Sequence, residues 1–252
     1  MAFSHILITG ASSGIGESLA LAYAASGVLL SLSGRDAARL DAAAARCRDR
    51  GAAVDTVILD VTDAEAMARW IGTRDKVQPL DLVIANAGVS AGLGALGESA
   101  AATRHIFAVN LDGVLNTVLP ALECFRARRR GHVAIISSLA SFRGVGGAPA
   151  YCASKAAVRV WGEGLRSALT KENIGVSVVC PGFVVSRMTE VNTFPMPFLM
   201  SAERSARIIQ HGIAANKGRI AYPWPMMAGV WLLAALPDAV ANFIGRRLPD
   251  KT

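Results

Sequence analysis

The sequence lacks the features that hold small or secreted folds together. Its four cysteines lie far apart and form no CxxC pair: Cys47, Cys124, Cys152 and Cys180. The four histidines show no metal-ligand spacing either: His5, His105, His132 and His211. We therefore expect reduced thiols, no disulfide framework and no metal site. We also expect no targeting segment, because residues 4–9 already read as a strand whose apolar part is too short for a signal peptide. We expect the start of a cytoplasmic protein.

Charge is scarce as well. Charged residues make up 18% of the 252 residues and hydrophobic residues 52%, which excludes a disordered chain. The length is ample for a self-sufficient core and allows one large domain or two small ones. The formal net charge of +7 is compatible with nucleic acid, with anionic lipid, or with an anionic cofactor and a solvated surface.

Short apolar runs alternate along the chain with longer helical patterns. The predicted strands are Ile6–Thr9, Val28–Ser33, Val54–Leu59, Leu82–Ala85, His132–Ser137, Val176–Cys180 and Ile220–Tyr222. The predicted helices are Ile15–Ser26, Ala37–Arg50, Ala64–Gly72, Ser99–Arg126, Ala150–Glu172 and Ala202–Ala215. Strands that are apolar throughout are typical of a sheet covered on both faces. We predict one domain over residues 1–252, a Rossmann-like, doubly wound parallel sheet of about seven strands in three α/β/α layers.

The first strand runs directly into a glycine-rich turn, TGASSGIG at residues 9–16, and a helix follows. Glycines at such a turn let backbone N–H groups approach a pyrophosphate, which the positive end of the helix dipole favours. The spacing TGxxxGxG resembles the cofactor signature of the short-chain dehydrogenase/reductase family. The resemblance implies cofactor contacts from Gly10, Ser12, Ser13, Gly14, Ile15 and Gly16.

The end of the second strand bears on which cofactor binds. An acidic residue there would bind the ribose 2′-hydroxyl of NAD, but the sequence has Ser33-Gly34-Arg35. No carboxylate stands where it would repel a 2′-phosphate, and a guanidinium pairs with phosphate in bidentate fashion. We therefore favour NADP(H) over NAD(H). The alternative is that Arg35 only caps a solvated loop.

Three further segments match the family. Asp60-Val61 follows the third strand, where the family places an aspartate against the adenine. Asn86-Ala87-Gly88 follows the fourth strand, where the family usually reads NNAG and Ala85 here replaces the first Asn. The resemblance implies that both segments contact the cofactor, through Asp60, Val61, Asn86, Ala87 and Gly88. After the sixth strand, residues 181–186 resemble the segment that embraces the nicotinamide, which implies contacts from Pro181, Gly182, Val184 and Ser186.

Tyr151 and Lys155 form the family's YxxxK motif at the start of a predicted helix. Residues four apart share a helix face, about 6 Å apart along the axis. A phenol with a pKa of about 10 is a poor acid or base at neutral pH, and a nearby ammonium would lower that pKa. The resemblance makes Tyr151 the proton donor and base, and it has Lys155 hold the nicotinamide ribose as well.

Two more residues complete the predicted catalytic set. Ser138 lies thirteen residues before Tyr151 and matches the family's serine, which hydrogen-bonds the substrate oxygen. Ser137 is the alternative, although strand alternation turns its side chain to the other face. Asn110 resembles the family's helix-borne asparagine, with a backbone kink and a bound water that links Lys155 to solvent. Together these residues predict hydride transfer between NADP(H) and a carbonyl or secondary alcohol.

Residues 186–248 are expected to form a substrate lid and an apolar C-terminal helical segment. The lid carries apolar side chains and favours a hydrophobic ketone or aldehyde, which could be lipid-like, steroid-like or aromatic: Phe194, Met196, Phe198, Leu199 and Met200. The alternative is a fixed loop packed into the core.

The C-terminal part departs from the family, whose TGxxxxVDGG-like tetramer segment is absent, so we expect a dimer rather than a tetramer. Residues 220–244 contain one charge, Asp238, and their uninterrupted apolar run, Met226–Leu236, is too short to cross a bilayer. Arg219 precedes them and Arg246-Arg247 follow. Three interpretations stay open: a buried or dimer-forming helix, an interfacial membrane helix, and a true anchor.

Nucleic-acid binding is not expected. The densest basic cluster has no aromatic interleaving and reads as a solvated loop: Arg126, Arg128, Arg129 and Arg130. Two other functions remain open beside the leading one. One is an NAD-dependent dehydrogenase of a small polar alcohol, and the other is a non-catalytic cofactor-binding regulator. The regulator normally loses one of Ser, Tyr or Lys, and all three are present here.

Overall fold

A computed structural model describes residues 3–90, 98–144, 146–192 and 194–245. The seven strands of the described chain pair in parallel in the order β3-β2-β1-β4-β5-β6-β7. They are β1 His5–Thr9, β2 Leu29–Gly34, β3 Ala53–Ile58, β4 Leu82–Ala85, β5 Gly131–Ile136, β6 Ile174–Pro181 and β7 Arg219–Tyr222. The predicted parallel sheet is confirmed, with strand ends that agree or differ by at most two residues.

Helices follow the strands as the alternating pattern predicts. They are α1 Gly14–Tyr23, α2 Ala37–Arg48, α3 Ala64–Val77, α4 Ala100–Phe107, α5 Gly113–Arg128, α6 Pro149–Leu169, α7 Arg187–Glu190, α8 Ala202–Ala214, α9 Trp224–Ala235 and α10 Asp238–Gly245. The helix predicted over Ser99–Arg126 is interrupted by a π-helical turn, Ala108–Asp112, which joins α4 to α5. By length and composition alone the stretch 100–128 could cross a membrane, but half of its most apolar window is buried in the protein.

The strands are apolar throughout because both faces of the sheet are covered. Alternate side chains of β1 enter different cores. Ile6 and Ile8 pack with α1 and α8, whereas Leu7 packs with α3 and α5. All five residues of β1 and all four of β4 are buried. The sheet is therefore the middle of three layers.

The order of the strands reverses between β1 and β4. β1 pairs with β2 on one side and with β4 on the other. In an open parallel sheet, the loops beyond the carboxyl ends of two such strands diverge and leave a crevice. The glycine-rich turn follows β1, Asn86 follows β4 and Ser138 follows the neighbouring β5, so the fold gathers them at the carboxyl edge of the sheet.

The basic cluster at the end of α5 has partners, although three of its four arginines are exposed as a solvated loop predicts. Each of its four arginines binds an acidic side chain or a backbone carbonyl: Arg126 with Glu172, Arg128 with Asp75, Arg129 with the carbonyl of Lys171, and Arg130 with Asp81. The cluster therefore fastens α5 and β5 to their neighbours.

Of the interpretations left open for residues 220–244, burial within a single chain does not hold for α9, whereas a dimer-forming helix and an interfacial membrane helix remain predictions. None of the twelve residues of α9 is buried, and Trp224 and Trp231 are exposed. The reason is that α9 follows the edge strand β7 and rests on the protein by one side only. Thr193 and residues 246–248, including Arg246-Arg247, lie outside the described residues.

Candidate active site

The turn after β1 can be built only with glycine at two places. Gly10 has a φ of +67°, and a Cβ there would lie 2.8 Å from the Cα of Ala87. A Cβ on Gly16 would lie 2.3 Å from the carbonyl oxygen of Gly10. The turn, the first turn of α1 and the segment after β4 are thus in direct contact.

Asn86 braces this turn from the neighbouring strand. Its Nδ2 donates to the carbonyl oxygens of Thr9 and Gly10, at 3.0 and 3.1 Å. The hydroxyl of Thr9 in return accepts from the backbone N–H groups of Asn86 and Ala87. The sequence pattern placed Asn86 at the cofactor but did not single out Thr9. The position of Thr9 at the end of β1, facing β4, could have indicated this role.

We predict that Asn86→Asp weakens both the fold and cofactor binding. The new carboxylate oxygen would face two carbonyl oxygens instead of donating to them, so two hydrogen bonds would be replaced by repulsion. A cost of about 2–3 kcal/mol follows, or a melting temperature lower by roughly 5–10 °C. Calorimetry with and without NADPH measures both effects. An unchanged melting temperature would show that Asn86 does not brace the turn.

The residues predicted to bind phosphate converge at the start of α1. Ser13 is the N-cap residue, and its side chain makes no capping hydrogen bond, which leaves the first N–H groups of α1 open to an anion. A Cβ on Gly14 would lie 3.1 Å from the Cβ of Ser186, so the segment after β6 lies against the turn. One cleft is lined by Ser12, Ser13, Gly14, Ser186 and Arg39, among others. Ile15, in the first turn of α1, is half-buried against the core.

Arg35 stands at the open end of β2. Its guanidinium is more than half exposed and lies 3.9 Å from Asp60. The backbone N–H and hydroxyl of Thr62 both donate to Asp60, and these bonds hold the pKa of that carboxyl below its usual range. Ser12 contacts Gly34, directly before Arg35. The neighbouring Val61 is buried in the core, and its carbonyl accepts from Asn116, so only its backbone N–H is left to face a cofactor.

Tyr151 and Ser138 meet at the reacting end. Ser138 caps a short 3₁₀ turn, Leu139–Ser141, and its hydroxyl accepts from the N–H of Ala140. Burial raises the pKa of Tyr151, and a hydrogen bond with Ser138 opposes that rise. Ser137 instead donates to the carbonyl of Lys155 within the core, as the alternation of β5 predicts.

Lys155 is buried behind Tyr151. Its Nζ donates to the carbonyl oxygen of Ile136 at 2.9 Å and lies 6.0 Å from the centre of the Tyr151 ring. Burial lowers the pKa of Lys155 from 10.5 to about 8. The sequence predicted a lowered pKa for Tyr151, but in the protein without cofactor this pKa is raised. The reason is that desolvation of the phenol outweighs its favourable contacts. Tyr151 therefore carries its proton at neutral pH. Gly88 touches this cluster, since a Cβ there would lie 3.2 Å from Nζ.

Asn110 lies in the π-helical turn, so the kink that the family resemblance implies is present. Its side chain is fully buried and clamps Val89: Oδ1 accepts from the Val89 N–H, and Nδ2 donates to the Val89 carbonyl. Nδ2 also donates to Ser154, whose hydroxyl donates to the carbonyl of Tyr151. Ser154 links Asn110 to the catalytic helix, and the sequence pattern did not single it out.

The segment after β6 forms one wall of the site. The N–H of Gly182, which follows Pro181, donates to the carbonyl of Tyr222, and Val184 is buried beside Met200. Ser186 caps α7 and is bound by Thr189. The apolar residues predicted to form the lid differ in burial. Met200 is buried and Phe194 packs edge-on against Phe183, whereas Phe198 and Leu199 are exposed. The described residues contain no cluster of side chains that could hold a metal ion.

A family model described as short chain dehydrogenase matches residues 4–194. Among curated proteins, an uncharacterized oxidoreductase of Myxococcus xanthus is 37% identical over 249 residues, 98% of both chains. Galactitol 2-dehydrogenase (L-tagatose-forming) of Cereibacter sphaeroides is 35% identical over 185 residues, 72% of both chains.

Solved structures of the same fold include complexes with either nicotinamide cofactor. A short-chain dehydrogenase from Sphingobium yanoikuyae in complex with NADPH superposes with a TM-score of 0.81, at 26% identity over 98% of this chain and 97% of that one. A short-chain dehydrogenase from Mycobacterium paratuberculosis bound to NAD gives a TM-score of 0.78 at 20% identity, over 89% of this chain and 97% of that one. At 20% identity, the similarity to the Mycobacterium paratuberculosis structure shows a shared fold only.

Proposed function

Because the chain belongs to the short-chain dehydrogenase/reductase family of oxidoreductases, we propose that it transfers hydride between NADP(H) and a hydrophobic ketone or aldehyde, or the corresponding alcohol. One observation carries the proposal: the Tyr151 side chain lies between Ser138 and the buried Lys155, whose Nζ is 6.0 Å from the Tyr151 ring centre. The partners of Ser138, Tyr151 and Lys155 suit the chemical role of each side chain, and this argues against the alternative of a non-catalytic regulator.

The chain's own residues account for the movement of the proton. A bound NADPH supplies the hydride. Tyr151 holds a proton at neutral pH because burial raises its pKa, so it can donate to a carbonyl oxygen. Ser138 hydrogen-bonds the same oxygen as negative charge develops there. Lys155, charged below a pH of about 8, stabilises the phenolate left behind. In alcohol oxidation the same groups work in reverse, and Tyr151 is then the base.

The pyrophosphate fits the glycine turn, where Cβ atoms would fill the space and the start of α1 is open. We propose that Arg35 and Ser12 bind the 2′-phosphate of NADP(H). Asp36 does not oppose this, since it caps α2 and pairs with Arg39. The Sphingobium yanoikuyae relative was solved with NADPH, which agrees with this preference.

We predict that Arg35→Ala raises KM for NADPH about 10- to 100-fold and leaves KM for NADH nearly unchanged, because a charge-assisted contact of about 1.5–3 kcal/mol is lost. Arg69→Ala, which removes an exposed arginine of α3, is the matched control. If the wild-type protein binds NADH as well as NADPH, the role given to Arg35 is wrong.

The substrate class follows from the lid, whose exposed Phe198 and Leu199 suit an apolar molecule better than a sugar. The galactitol dehydrogenase relative favours the competing candidate, an NAD-linked dehydrogenase of a polar alcohol. Initial rates with both cofactors on aromatic, steroid and long-chain ketones and aldehydes, and on polyols, decide between them. We expect NADPH-dependent reduction of apolar carbonyls. Faster NAD-dependent polyol oxidation would establish the competitor.

A further inference from the structure

The C-terminal helices present an apolar surface to solvent. Trp224, Trp231 and Leu232 of α9 are 76%, 60% and 58% exposed. Phe243 of α10 is 60% exposed. We call these four residues the apolar face. Isolated exposed apolar side chains are ordinary, but large aromatic ones gathered on consecutive helices indicate a binding surface.

The opposite side of α9 fastens it to the reacting end of the molecule. Met226, Met227 and Val230 pack with Leu139, in the 3₁₀ turn that Ser138 caps, and with Cys180. The Sδ of Met226 would lie 3.1 Å from a Cβ on Gly182. The apolar face is therefore carried by a helix that borders the proposed substrate site.

The helix α9 itself carries no charge. No charged residue occurs between Arg219 and Asp238. The guanidinium groups of Arg159 and Arg219 stack on Phe142, which packs in the same cluster as the inner side of α9, at 4.6 and 5.5 Å from the ring centre. One carboxylate, Glu163, pairs with both. Counted with Asp238, the two arginines and two acidic residues balance, so the positive charge that favours an anionic surface is that of the whole chain, +7.

These features select one occupant. A second copy of the chain carries the same net charge of +7 and would be repelled, whereas an anionic lipid surface attracts it. Trp224 and Trp231 are seven residues apart and so lie on one side of α9, and tryptophan favours the membrane–water boundary. A helix of twelve residues is about 18 Å long, too short to span a bilayer of about 30 Å but suited to lying in its surface.

We propose that the apolar face docks on the surface of an anionic bilayer, so that the enzyme takes a carbonyl substrate dissolved in the lipid. The substrate part rests on the proposed function, whereas the docking part does not. Because Met226 borders Gly182, a substrate leaving the bilayer along α9 would reach Tyr151 without first dissolving in water.

Flotation of the full chain with vesicles tests the docking. We expect it to float with vesicles of equal phosphatidylglycerol and phosphatidylcholine, and less with phosphatidylcholine alone. Trp231→Glu should lower the bound fraction about tenfold or more, since one large apolar contact is lost and a negative charge is added. Val77→Glu places the same charge on an exposed valine of α3 and should leave flotation unchanged.

Two outcomes would overturn the proposal. One is no flotation of the wild-type chain. The other is a dimer in sedimentation equilibrium that Trp231→Glu converts to monomers, because the face would then bind a second copy. NADPH oxidation with a water-soluble ketone separates this proposal from the proposed function. Trp231→Glu should retain that activity, whereas absence of turnover in the wild-type chain would count against the function and not against the docking.

Discussion

Tyr151→Phe should lower kcat for carbonyl reduction about 10²- to 10⁴-fold, the range that a positioned general acid contributes. The substitution removes one hydroxyl, which holds the proton to be transferred and bonds to Ser138. The ring remains, so the packing of the first turn of α6 should be kept. Steady-state rates with NADPH and any ketone that the wild-type chain reduces measure the effect.

Binding and stability distinguish a chemical role for this hydroxyl from a structural one. NADPH affinity and melting temperature should stay close to those of the wild-type chain. Tyr23→Phe is the matched control, because the buried hydroxyl of Tyr23 has no hydrogen-bond partner among the described residues and should be dispensable. Turnover by Tyr151→Phe equal to that of the Tyr23 variant would remove Tyr151 from the mechanism.

Lys155→Met should abolish most activity and yet stabilise the protein. Removing the ammonium behind Tyr151 should lower kcat about 10²- to 10³-fold, since a preorganised charge in a dry site is lost. The same ammonium is 97% shielded from solvent and donates to one carbonyl, and its pKa falls from 10.5 to about 8. A fall of that size corresponds to about 3 kcal/mol of destabilisation. We therefore expect a melting temperature several degrees higher.

The stability gain should depend on pH in a defined direction. Below pH 8 both the folded and unfolded chains hold the lysine proton, so the folded chain bears the full cost of burying the charge. Between about pH 8 and 10.5 the folded chain is deprotonated first, wild-type stability rises, and the difference from Lys155→Met vanishes. Thermal melts at pH 7 and pH 10 measure this, with the exposed Lys76→Met as control. A variant less stable than wild type at pH 7 would contradict it.

The fold could be predicted from the sequence because its signals are local. Apolar strands such as Leu82–Ala85 and the glycines after β1 follow from residue type and spacing, and the structure places them in the predicted order. Strand alternation also separated Ser138 from Ser137 correctly, since a one-residue step reverses the face of a strand.

Tertiary contacts account for what the sequence did not predict. The Asn110 side chain clamps Val89, which lies twenty-one residues away in the sequence, because the loop that carries Val89 meets the π-helical turn in the folded protein. Burial outweighs the contact with Ser138 in setting the Tyr151 pKa, and that balance depends on how closely the surrounding protein packs. The exposure of α9 depends on β7 being an edge strand, and an apolar run has the same pattern whether it is buried or not.

Isotope transfer tests hydride transfer most directly. The chain is supplied with NADPH carrying deuterium at C4 of the nicotinamide, on the face that is transferred, and with an apolar ketone, and the alcohol formed is analysed by mass spectrometry. We predict one deuterium on the carbinol carbon for each NADPH consumed, and none in the product of Tyr151→Phe beyond its residual turnover. NADPH consumption that leaves the carbinol carbon without deuterium would contradict the proposed function.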